Sequence, residues 1–129
     1  MKSPLSDKSA AFADCILDLS DDLLVKKVPY GIEVCVKQCT RSGTSIGANI
    51  AEGVYAQSKE DLVSKYSIAI KEASETKYWL DRLMHRNAID KTIHDGMSND
   101  LSEIIRMLSA AIRTLKDNIL KEKLDKKKQ

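Results

Sequence analysis

Residues 30–54 read YGIEVCVKQCTRSGTSIGANIAEGV, and their spacing decides the fold. Ile32, Val36, Cys39, Gly43, Ile46, Ile50 and Val54 recur every three or four positions, which places them on one stripe of a single helix. Pro29 suits the first turn, where its missing N–H has no intrahelical partner to lose. The spacing therefore predicts a helix over 29–56, a rod of roughly 42 Å. A stripe of that length needs partner elements that bury it, and the chain offers further helices.

Three further stretches supply them. Phe12, Ile16, Leu19 and Leu23 share a face that Asp14, Asp18, Asp21 and Asp22 avoid, giving a helix over about 6–24 before KKVPYG breaks the pattern. Ser58 followed by Asp61 resembles a capping box and opens a helix over 59–87, with Leu62, Tyr66, Ala69, Ala73, Thr76, Leu80 and Leu83 as its stripe. Asp90 can cap a fourth helix over 91–120. Its stripe is Ile93, Met97, Leu101, Ile104, Leu108, Ile112, Leu115 and Ile119, and Gly96 is its weak point. Short connections favour antiparallel neighbours, so the expected fold is an all-α, antiparallel up-and-down four-helix bundle. It forms one domain over 1–129, with a basic tail over 121–129.

Composition agrees. Among 129 residues there are 5 Gly and 2 Pro, few for a turn-rich sandwich or barrel. No hydrophobic run exceeds about four residues, far below the ~18 that a membrane span requires. The N-terminus also lacks the apolar block of a secretory signal, so a cytoplasmic location is expected. The formal charge of +2 conceals a division: 121–129 holds five Lys against Glu122 and Asp125, whereas 1–120 carries 16 basic and 17 acidic side chains. Lys121, Lys123, Lys126, Lys127 and Lys128 are thus the candidate nucleic-acid contacts. The plainer reading is a solvated tail that favours a helix C-terminus.

Two helices carry a second face. Arg41, Ser45, Asn49 and Glu52 fall opposite the 32–54 stripe, and Ile68, Glu72, Glu75, Trp79 and Arg82 flank the 62–83 stripe. In a hairpin turning near Gln57, Arg41 lies level with Glu72 and Glu75, and Glu52 level with Lys65. Arg41 is therefore expected to pair with one of these glutamates, within the chain or across subunits.

Sites for chemistry are weakly signalled. Cys15, Cys35 and Cys39 are an odd number in a chain without a signal, which disfavours a disulfide framework. Cys35 and Cys39 lack the two further ligands of a metal site, because His85 and His94 lie on other elements. A carboxylate-bridged di-iron bundle needs Glu-x-x-His, but Arg82 and Lys91 precede the two histidines by three positions. Ser74 to Lys77 matches Ser-x-x-Lys without its companion motifs, and GTSIG lacks the ending of a phosphate-binding loop. No catalytic residue, metal, cofactor or small-molecule substrate is expected.

The strings RSGTSIGANIAEG (Arg41 to Gly53), SIAIKEASETKYWLDRL (Ser67 to Leu83) and EIIRML (Glu103 to Leu108) carry a resemblance. The chain resembles the four-helix-bundle proteins encoded in intervening sequences of bacterial 23S rRNA genes, also called the S23 ribosomal protein family, over roughly residues 8–118. The resemblance implies a closed bundle and, by analogy with family members and the related accessory protein of diversity-generating retroelements, a homopentameric ring. It carries over Arg41, Ser45, Ile46, Asn49, Ile50, Glu52, Gly53, Glu72, Glu75 and Trp79 as motif positions, none of them catalytic. The retroelement relative is strongly basic and binds nucleic acid, whereas residues 1–120 here are slightly acidic. The leading expectation is a non-enzymatic homo-oligomeric scaffold; the alternative is an RNA- or DNA-binding protein that displays its basic C-terminal tails around a ring.

Overall fold

A computed structural model describes residues 3–128. Its elements are four helices: α1 (Pro4–Leu24), α2 (Tyr30–Gly53), α3 (Lys59–His85) and α4 (Lys91–Lys127). Each packs against its sequence neighbours and α1 closes onto α4, so α1/α3 and α2/α4 are the diagonals of a four-helix bundle. No described helix is long and apolar enough to cross a membrane.

Local chemistry sets the ends. Ser3, Ser58 and Asp90 accept hydrogen bonds from the backbone N–H groups of Ser6, Asp61 and Ile93, each satisfying an orphan donor of a first turn. Asp61 reaches back to the N–H of Gln57, one residue before the cap itself. At the far end of α3, Asn87 adopts φ 60°, and the N–H of Ala88 bonds the carbonyl of Leu83. This is the left-handed stop that asparagine tolerates better than most residues.

The core lies in the middle of the rod. Ile16, Val36, Ile46, Leu80, Leu83, Leu101, Ile104 and Leu108 are its largest fully buried apolar side chains. Two small residues allow close helix approach. A Cβ at Gly43 would stand 2.8 Å from Ile16 of α1, and one at Gly53 would stand 2.7 Å from Leu62 of α3. Polar threads cross the same seams: Ser20 and Thr40 share a hydrogen bond between α1 and α2, and Thr76 donates to Ser42 between α3 and α2.

Several expectations need correction. Pro29 caps α2 instead of entering it, and α2 stops at Gly53, where a Cβ would stand 2.7 Å from Leu62 of α3. Val54 is consequently off the buried stripe and 66% exposed. In α4 the inward direction at the first turn is taken by His94, leaving Ile93 exposed. The basic segment is helix as far as Lys127, so the expected tail from 121 is instead a continuation of α4. At 37 residues α4 is about 55 Å long, against about 31 Å for α1. Beyond Leu108 its stripe residues Ile112, Leu115 and Ile119 are only half-buried.

Candidate functional site

The second faces of α2 and α3 meet along one lateral seam. Arg41 forks across it: Nη1 donates to Glu72 Oε2 at 3.2 Å, and Nη2 pairs with Glu75. The same Glu75 oxygen accepts the indole N–H of Trp79 at 3.1 Å. That indole donor, ahead of the Arg41 guanidinium, holds the Glu75 carboxyl below the usual carboxylate range. One turn pitch along α2, Ser45 donates to the Arg41 carbonyl at 2.6 Å, and Asn49 donates to the Ser45 carbonyl at 2.8 Å. Glu52 pairs with Lys65 at 3.5 Å.

Hairpin geometry therefore brings all seven expected seam residues onto one side, and the Arg41 pairing is within the chain. The ion pairs are closed and half-exposed, which makes each worth little alone. What surrounds them is less ordinary. Ile68 is 40% exposed and Tyr78 55% exposed. Trp79 meets Tyr78 edge to face at 5.0 Å, and the Arg82 guanidinium lies 5.7 Å from the Tyr78 ring centre. The seam is a strip of aromatic and aliphatic surface whose central arginine is shared by two glutamates.

The five candidate lysines stand apart from this seam. They occupy the last turns of α4, all exposed, and Glu122 among them pairs with Lys59 at the start of α3. Cys35 and Cys39 are buried, and burial together with the neighbouring Cys35 pushes the Cys39 thiol up to about 12. Cys15 is exposed. Among the described residues no group of three His, Cys, Asp or Glu side chains is arranged to hold a metal ion. An open cleft of about 290 Å³ beside the α1–α2 connection is lined by Leu24, Val25, Lys26, Lys27, Val28 and Glu33, with no convergent catalytic pair.

One polar cluster was not foreseen from the sequence. His94, almost buried, bonds Asp81 of α3 through Nε2 at 2.6 Å and Asp95 through Nδ1 at 2.9 Å. With a carboxylate on each ring nitrogen the imidazolium is favoured, and Asp81, then Asp95, raises the proton affinity of His94. Hairpin counting about the Asn87 turn would have found it, because Asp81 lies level with His94.

The family model described as the 23S rRNA-intervening sequence protein matches residues 4–110, from the start of α1 to two residues beyond Leu108. A crystal structure from Bacteroides thetaiotaomicron, described as a protein of unknown function from the S23 ribosomal protein family, is similar to the chain at 42% identity. It aligns with a TM-score of 0.78 over 84% of this chain and 97% of that one. No curated protein matches. The lysine-rich end of α4 lies outside the span that the family model covers.

Proposed function

The chain belongs to the 23S rRNA-intervening sequence protein family, and from that premise we propose that it is a non-enzymatic homo-oligomeric scaffold, with five subunits as the expected stoichiometry. The observation that carries this reading is the α2–α3 seam. Interfaces are enriched in aromatic residues and Arg at their centres, and the α3 side of the seam offers Trp79, Tyr78, Ile68 and Arg82. Arg41 engages both Glu72 and Glu75, so covering the seam leaves none of the three without a partner, and one net negative charge remains.

The test is the mass of an Ile68→Lys, Tyr78→Lys double variant. Both side chains are exposed, so the bundle should keep its helicity while the particle dissociates. A variant that retains the wild-type mass would remove the seam from the interface.

A second reading is favoured by the exposed lysines at the end of α4, which can neutralise phosphates along a nucleic acid. Structured RNA would then bind with steep salt dependence, and truncation after Leu120 would abolish binding. Full affinity in the truncated protein would eliminate those lysines as the site.

A further inference from the structure

α1 and α4 carry opposite charges on faces that no helix of the same chain covers. In α1 five aspartates stand against one lysine, Lys8, which Asp100 and Glu103 of α4 already engage. Asp14, Asp18, Asp21 and Asp22 are all exposed, and none forms an ion pair among the described residues. From Arg113 to Lys128, α4 holds seven basic side chains against three acidic ones.

Apolar side chains sit among both sets of charges. Leu17 and Leu24 are 45% and 38% exposed on α1, and Leu120 and Leu124, one turn apart, are 57% and 50% exposed on α4. Helical spacing puts Leu120 and Leu124 on the side away from Glu122, the residue that faces α3. They are outward-facing leucines in a lysine-rich helix.

The two faces cannot meet within one molecule. The aspartates surround Ser20, which bonds Thr40 of α2, and the adjacent Arg41 is level with Glu75 of α3. The end of α4 is level with Lys59. Glu75 and Lys59 are about 24 Å apart along α3, about three Debye lengths at physiological salt. Unlike patches at opposite ends of one rod describe a heterologous, head-to-tail contact.

We propose that the lysine-rich end of α4 docks on the acidic outer face of α1 in a second copy of this chain, with Leu120 and Leu124 against Leu17 and Leu24. The proposal rests on the homo-oligomer reading above and adds to the α2–α3 seam the contact that gives the assembly its direction. A second copy fits better than a nucleic acid, because both complements are present on the one chain and α1 would repel phosphates.

Charge reversal tests it in three proteins: Asp14→Lys, Asp18→Lys, Asp21→Lys on α1; Lys121→Glu, Lys123→Glu, Lys127→Glu on α4; and both sets together. Circular dichroism confirms retained helix, and sedimentation with light scattering at roughly 50 mM salt reads the assembly. Several surface pairs acting together should make each single set raise the dissociation constant at least about tenfold, and the combined protein should recover the wild-type mass. Wild-type assembly should also weaken as salt rises. Single sets that leave the wild-type mass unchanged, or a combined protein that does not recover, would overturn the contact and leave the scaffold reading standing. So would loss of RNA binding by the α4 set at unchanged mass. A monomeric wild-type protein would overturn both.

Discussion

Replacing Gly43 by Ala isolates the contact that brings α1 onto α2. The new Cβ would stand 2.8, 3.1 and 3.2 Å from Cγ1, Cδ1 and Cγ2 of Ile16, whose side chain is 1% exposed. Helix propensity gains about 1 kcal/mol from Gly to Ala. Overpacking a tight core costs about 1–3 kcal/mol, so the net effect ranges from about neutral to a loss of about 2 kcal/mol. Gly96→Ala is the internal control, since nothing lies within 4 Å of its Cβ position. It should gain the propensity term in full.

Urea unfolding at one fixed protein concentration should separate the two variants by about 1–3 kcal/mol, roughly 1 M in midpoint for a domain of this size. Repeating Gly43→Ala in an Ile16→Ala background removes all three clashing atoms and should convert the loss into a gain. If Gly43→Ala stabilises the wild-type background as much as Gly96→Ala does, the close approach of α1 and α2 is wrong.

Three shorter tests address the polar features. Arg41→Ala leaves Glu72 and Glu75 facing each other, and because the arginine is half-exposed the monomer should lose only about 1 kcal/mol or less by urea unfolding, with the larger effect on particle mass; unchanged stability and mass would contradict its role. His94 binds its proton more tightly folded than unfolded, so its contribution is complete below about pH 6.5 and is lost as pH rises through the raised folded value. The Asp81 carboxyl, held down chiefly by His94, works in the other direction and loses its contribution as pH falls below about 3.8. Midpoints should therefore be highest between these limits and decline as pH rises through the raised His94 value, and His94→Gln should flatten that decline. Finally, the buried, high-pKa Cys39 and the buried Cys35 should resist a thiol reagent at pH 8 that labels exposed Cys15, so one thiol should react in the native protein and three in denaturant.

Much of the fold was legible because apolar spacing reports directly which side of a helix is buried. The stripes through Val36, Ile46, Leu80 and Leu101 are the observed core, and hairpin counting placed Arg41 beside Glu72 and Glu75 and Glu52 beside Lys65. The failures share a cause. Periodicity scores side chains by hydrophobicity, so it assigned Ile93 to the core and passed over His94, whose burial depends on two aspartates that satisfy both ring nitrogens. It also read KEKLDKKKQ as a tail from its like charges. Lys, Glu and Leu are good helix formers, however, and lysines are favourable at a helix C-terminus, so α4 continues to Lys127.

No count of residues could reveal which exposed faces a second molecule would cover, because solvated and contact faces share the same polar pattern. If copies of this chain assemble as proposed, light scattering at micromolar concentration will read the mass of the assembly from the wild-type protein. Five copies of the 14.4 kDa chain predict a particle of about 72 kDa. A single species of 14.4 kDa would show that the chain is a monomer and rule out the proposed assembly.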